Sequence, residues 1–160
     1  MDTDEGRTPV DRARELFLDD ANIYGCAETT FVVLKEAYGL PDAGDSGAAM
    51  ALNGGIAYSG SMCGALTGAA LAVGMLAERE IGDHRQAKRR AREATAATIA
   101  DFRTTFGATT CRELTGFDLS SDEKHRAFIE DGTWRTGCMR QIEFVVQRLT
   151  EDDGPAAAER

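Results

Sequence analysis

The sequence predicts an all-α, single-domain helical bundle of five to six segments, and three observations carry that prediction. Alanine and glycine are abundant while aromatic residues make up only 7% of the chain, which suits closely packed helices better than a β-sandwich. Apolar residues recur three and four positions apart, and no stretch alternates with period two for long enough to read as a strand. Glycine, proline and capping residues punctuate the periodic stretches at helix-like lengths.

The elements follow in order. Thr8-Pro9 is a cap followed by proline at the first helical position, and Val10, Ala13, Phe17 and Ala21 share one face beyond it. Gly25 marks a break. A second helix is expected from about Cys26 to Tyr38, with Thr30, Val33, Leu34 and Ala37 inward and Gly39 and Pro41 ending it. A turn over 42–45 and a short helix over 48–52 lead to a glycine-rich loop from Asn53 to Gly60. The pattern is helical again from Ser61 to about Glu80, with Leu66, Ala69, Ala70, Val73 and Leu76 packing. Asp83 caps a long helix to Phe106, whose inner stripe is Ala87, Ala91, Ala94, Thr98, Phe102 and Phe106, and Gly107 stops it. Thr109 and Thr110 introduce a short turn, Cys111 to Leu114, closed by Gly116. Ser120 with Glu123 is a capping-box signature for a helix through Ile129. The last helix spans about Thr133 to Leu149, with Trp134, Cys138, Ile142, Val145 and Leu149 in register. Residues 1–7 and 151–160 read as disordered tails flanking a domain over 8–150, with no internal repeat or linker.

At 160 residues the chain can bury a real core without covalent staples. A net charge of −9 opposes general affinity for nucleic acid, so no nucleic-acid partner is expected. The start, Met1 to Thr8, is polar and acidic and lacks the basic and apolar parts of a secretory signal. A cytoplasmic location is expected, where thiols stay reduced and four cysteines need a reason other than stapling. The stretch 46–77 has no formal charge over 32 residues, long enough for a bilayer. Sixteen of those residues are glycine or alanine, so insertion into lipid is poor and no membrane span is expected. The small residues Gly60, Gly64 and Gly68 suit two helices touching backbone to backbone, and the face from Gly60 to Gly74 is a candidate homodimer surface.

Cys26, Cys63, Cys111 and Cys138 are separated by 37, 48 and 27 positions, so none forms a CxxC pair or a zinc knuckle. Each falls on a different helix or helix end, and only the fold can bring them together. Gly25, Gly64 and Gly137 adjoin three of them, and glycine lets backbone crowd a bulky sulfur and offers it N–H groups. Cys63 sits near the start of its helix, where the dipole lowers a thiol pKa. Arg112 and Arg140 stand beside Cys111 and Cys138 in sequence, placed to stabilise charge on sulfur. The plain alternative is that the four are small buried hydrophobes.

The remaining signals are weaker. Arg85, Lys88, Arg89, Arg90 and Arg92 read as a solvated helix face, or else as a dock for an acidic redox partner. His84 and His125 are isolated in polar surroundings and read as surface residues, and Asp19-Asp20 as solvation. Trp134 reads as core, placed to wall a centre off from water. The loop 53–60 lacks a preceding strand and a following lysine, which excludes a phosphate loop.

The run Cys63-Gly64-Ala65-Leu66-Thr67-Gly68 resembles the Cys-Gly-Ala-x-x-Gly signature of the redox-active proteins named for their C-GCAxxG-C-C pattern. Cys26-Ala27-Glu28 resembles that family's first cysteine segment, and Gly54-Gly55-Ile56 the glycine turn before its second. Cys111 to Gly116 resembles the third segment, and Cys138 the fourth cysteine, so the likeness covers roughly residues 10–150. Gly25 departs from it, since a polar residue such as asparagine is expected there. The resemblance implies a redox function without naming a substrate. A related domain in split-Soret cytochromes associates similar cysteines with an iron–sulfur centre beside haem, but this chain has no CxxCH and covalent haem is not expected. Three chemistries follow. Cys26, Cys63, Cys111 and Cys138 are candidate ligands of an iron–sulfur cluster such as 2Fe–2S in an electron carrier, with Gly25, Gly64, Gly68 and Gly137 lining it. As the alternative they are candidate dithiol pairs, with Cys63 the reactive thiolate. Or they hold zinc or simply pack. A redox partner protein is implied by the first two.

Overall fold

The computed structural model describes residues 6–151 and is all-α: α1 Pro9–Phe17, α2 Cys26–Ala37, α3 Gly64–Glu80, α4 His84–Phe106, α5 Cys111–Thr115, α6 Asp122–Asp131 and α7 Gly137–Glu151. Two 3-10 segments, Gly47–Leu52 and Thr133–Arg135, complete it. Among the described residues the only β feature is an isolated antiparallel bridge between Met62 and Thr110. Residues 1–5 and 152–160 of the expected tails lie outside the described residues.

Thr8 caps α1 through a full capping box: its hydroxyl accepts from the Asp11 N–H and the Asp11 carboxylate accepts from the Thr8 N–H. The helix ends at Phe17, before Ala21, which is exposed rather than on the packing face. The reason lies in the polar Asp19-Asp20 pair, where Asp19 turns to accept from the Ala21 N–H. Helix α2 is buried from Ala27 through Lys35 without interruption, which marks a helix enclosed on all sides; only its last turn, with Ala37, is exposed. It packs on α3 and α7, with α1 alongside, while α4 covers the other side of α3. The contact of α2 with α3 is unusually close because α3 is lined with small residues: a methyl group at Gly68 would stand 2.4 Å from the Ala27 carbonyl oxygen.

Three boundaries differ from the periodicity. Helix α3 begins at Gly64, not Ser61, because Met62 is drawn into the bridge with Thr110 and leaves Cys63 as the N-cap. The cap of α6 is Ser121, whose hydroxyl accepts from the Lys124 N–H, so Ser120 lies outside the helix. The last periodic stretch is two elements: Gly132 takes a left-handed conformation, Trp134 sits in a 3-10 turn, and α7 starts afresh at Gly137. The long helix keeps its expected bounds, with Asp83 as cap and left-handed Gly107 as stop. Arg85, Lys88, Arg89 and Arg92 of its first turns face solvent, whereas Arg90 is half-buried beside Glu80.

Candidate functional site

Cys26 is the first residue of α2, and its N-cap Gly25 has no side chain to satisfy the helix's free N–H groups. Asn53 supplies the missing cap from the glycine-rich loop. Its Oδ1 accepts from the N–H groups of Ala27 at 3.0 Å and Glu28 at 3.4 Å, while its Nδ2 donates to the Glu28 carboxylate at 2.7 Å. A methyl group at Gly25 would lie 2.3 Å from Asn53 Cγ. The asparagine expected at position 25 is thus replaced in space by Asn53, and glycine is what leaves room for it.

The turn after Asn53 is backbone of an uncommon kind. Gly54, Gly55, Ile56, Ala57 and Tyr58 all have positive φ, at 66°, 73°, 69°, 51° and 58°. Left-handed backbone costs L-residues roughly 1–2 kcal/mol each, and a β-branched residue such as Ile56 is the least suited to it. What this turn accomplishes is local: it brings the Gly54 N–H toward the Cys26 sulfur, whose pKa the backbone N–H groups of Gly54, Ala27, Cys26 and Gly64 hold down against burial. Gly64 approaches so closely that a methyl group there would stand 2.3 Å from Cys26 Sγ.

Cys63 and Cys111 are joined through the bridge. The Cys63 N–H donates to the Thr109 carbonyl at 2.8 Å, and the Cys111 N–H donates to the Ser61 carbonyl at 2.7 Å. Residues 48 positions apart in the chain are thereby neighbours on two paired backbones. Gly55 packs against Cys111, since a methyl group at Gly55 would come 2.8 Å from Cys111 Cβ. Cys138 lies in the first turn of α7, and from the next turn of that helix Gln141 Oε1 faces the buried Cys63 thiol at 3.8 Å.

All four thiols are free; Cys63 and Cys111 are buried, and Cys26 and Cys138 half-buried. Cys26, Cys111 and Cys138 line one cavity of about 120 Å³, together with Glu28, Asn53, Trp134, Tyr58 and His125. Burial is the main force on every thiol and raises all four. Cys63 is pushed well above its ordinary range, with the charges of Cys26, Cys138 and Cys111 adding to the rise. Cys111 rises to about 11 through burial and then Cys26. Cys138 rises to about 12 through burial, Cys26 and Cys111. Burial raises Cys26 as well, opposed by its four backbone N–H donors. The four sulfurs therefore sense one another electrostatically. Among the described residues, however, no group of three or more His, Cys, Asp or Glu side chains is arranged to hold a metal ion.

The expected lowering of the Cys63 pKa is overturned. Its position at the mouth of α3 is outweighed by burial and by the neighbouring sulfurs, and Cys26 is the thiol that backbone donors serve. Arg112 and Arg140 are not among the groups that shift Cys111 and Cys138. Of the expected lining glycines, Gly25 and Gly64 crowd the Cys26 end of α2 and Gly68 crowds Ala27, whereas Gly137 faces only Thr133. Trp134 is buried, edge-on to Phe17 at 5.3 Å, and lines the cavity beside Cys138. His84 is a surface residue paired with Glu78. His125 is not isolated: it stacks on Tyr58 with ring centroids 4.4 Å apart and lines the cysteine cavity. The sequence carries no signal for that pair, because the left-handed turn that delivers Tyr58 is not written in residue types at 56–58.

Residues 24–151 match the family model described as "Putative redox-active protein (C_GCAxxG_C_C)". The chain belongs to this family. The C_GCAxxG_C_C match spans all four cysteines and every helix from α2 to α7, leaving only α1 outside it. No curated protein and no solved structure matches the chain. No helix of the described residues is long and apolar enough to cross a membrane.

Proposed function

We propose that this C_GCAxxG_C_C protein is a thiol redox protein in which Cys26, Cys63, Cys111 and Cys138 work as one centre, storing two electrons as a dithiol and releasing them on disulfide formation. The observation that carries this reading is the placement of Cys26: one sulfur at a helix N-terminus, on a small cavity shared with Cys111 and Cys138, with backbone N–H groups opposing the rise that burial imposes. Backbone donors favour the thiolate, which is the attacking form in disulfide exchange. Cys111 and Cys138 are the candidate resolving thiols, and the buried Cys63, whose pKa burial and the other three push up, stays protonated beside them. The electron donor or acceptor is a redox partner protein or a small molecule reaching the cavity.

A second reading is an electron carrier with an iron–sulfur cluster, a 2Fe–2S centre among the candidates, held by the same four cysteines. What favours it is the donor chemistry: four soft sulfur ligands from separate elements, with N–H groups and glycine backbone crowding Cys26. Such a cluster would supply one-electron transfer without thiol chemistry.

Anaerobic purification followed by iron, zinc, acid-labile sulfide and thiol analysis separates the readings. Colourless, metal-free protein whose thiol count rises by two on reduction supports the dithiol. Brown protein with stoichiometric sulfide transfers the proposal to the cluster. Four thiols that never change, with or without bound zinc, overturn both.

A further inference from the structure

The cavity in front of Cys26 has a composition that the redox reading alone does not use. Its volume of about 120 Å³ admits a few non-hydrogen atoms and excludes a folded partner or a nucleotide. Its walls are largely apolar, with Phe17, Leu119 and Trp134 among them, and among the described residues no lysine or arginine lines it. The carboxylate present is Glu28, 7% exposed and held by the Ser46 hydroxyl, Asn53 Nδ2 and the Gly25 N–H. At the solvent edge stand Tyr58, 40% exposed and stacked on His125, and Ile23, 66% exposed. A pocket lined by thiols and the Glu28 carboxylate, in a chain of net charge −9, repels anions.

We propose that this cavity is a binding site for low-molecular-weight disulfides whose halves are neutral or cationic, with Cys26 the sulfur they meet. The inference rests on the dithiol reading and adds the substrate class. In the first step the Cys26 thiolate attacks one sulfur of R–S–S–R. A Cys26–S–S–R disulfide forms, the S–S bond of the reagent breaks, and its other half leaves as RS⁻, which takes a proton from water. In the second step the deprotonated thiol of Cys111 or Cys138 attacks the Cys26 sulfur, an internal disulfide forms and the second RS⁻ leaves and is protonated. The protein loses two electrons and the small disulfide gains two.

The test uses the reduced, metal-free full chain and three reagents of matched length: cystamine, 2-hydroxyethyl disulfide and dithiodiglycolate. Each rate is divided by its rate with the urea-unfolded chain, which removes intrinsic reactivity. At low salt the cationic and neutral reagents are expected to lead the anionic one by about tenfold or more, a typical span for electrostatic steering. The first adduct is expected on Cys26 by peptide mass mapping. Glu28→Gln narrows the gap, whereas Glu93→Gln on the exposed face of α4, an equal change in net charge, leaves it. Because Glu28 also supports the turn, Ile23→Lys gives a second check at an exposed rim position: it should speed dithiodiglycolate severalfold. Equal normalised rates for the three reagents, a first adduct on Cys63, or no response to Ile23→Lys overturns the site. If diamide oxidises two thiols but no small disulfide enters, the site fails and the dithiol reading stands. If diamide oxidises none, the dithiol reading fails first.

Discussion

Asn53 does at a distance what a helix normally does for itself. Its amide satisfies two N–H groups at the start of α2 and one oxygen of the buried Glu28, so one side chain holds Cys26, the glycine-rich loop and the first turn in register. Asn53→Ala removes a cap and leaves a buried carboxylate one donor short, at a cost of about 2 kcal/mol. Urea unfolding should show a lower midpoint with an unchanged slope; a midpoint equal to the parent's would mean that Glu28 and Ser46 hold the turn unaided. At this scale the cysteines were legible, because four cysteines, three of them beside glycine, match a known pattern in order. The identity of the best-served thiol was not. Helix position pointed to Cys63, but burial and the neighbouring sulfurs, distant in sequence, push its pKa well up, whereas at Cys26 backbone N–H groups oppose the rise from burial.

At the scale of elements, the helices with strong caps and stripes were read almost to the residue, as α4 with Asp83 and Gly107 illustrates. Boundaries failed where tertiary pairing overrode periodicity, as at Met62, or where a left-handed glycine split a continuous stripe, as at Gly132. The left-handed turn from Gly54 to Tyr58 is the element with stored strain. Ile56 is 42% exposed, so Ile56→Gly gives up little burial and relieves left-handed backbone. It should stabilise the protein by about 1 kcal/mol in thermal or urea unfolding; destabilisation would show that the Ile56 side chain matters more than its φ. Lys35 ties the 42–45 turn to α2. It is 3% exposed, donates to the carbonyls of Asp42 and Asp45, and lies over the Phe31 ring at 4.1 Å. Lys35→Met keeps the stem and loses the charged donor, and a loss of about 2 kcal/mol is expected. A melting temperature within error of the parent's would refute that role.

For the whole molecule, burying thiols in and beside one cavity ties stability to pH. A thiol whose pKa is raised by folding holds its proton more tightly in the folded chain. That contribution is complete below the ordinary value of 9.0 and is lost as pH climbs toward about 11 for Cys111 and about 12 for Cys138. The reduced, metal-free protein should therefore lose urea resistance between pH 9 and pH 11, and Cys138→Ala should lose less over the same interval. Parallel curves for the two proteins would mean that the Cys138 thiol is not held protonated by the fold.

The claim at the centre of this account is that four sulfurs from four elements form one two-electron unit. The most direct measurement is disulfide mapping of the chain after equilibration across a series of thiol–disulfide redox buffers. A reversible, monomeric species with two fewer thiols and a cross-linked peptide joining Cys26 to Cys111 or Cys138 is expected. Four titratable thiols at every potential, or bridges only between separate molecules, would contradict it.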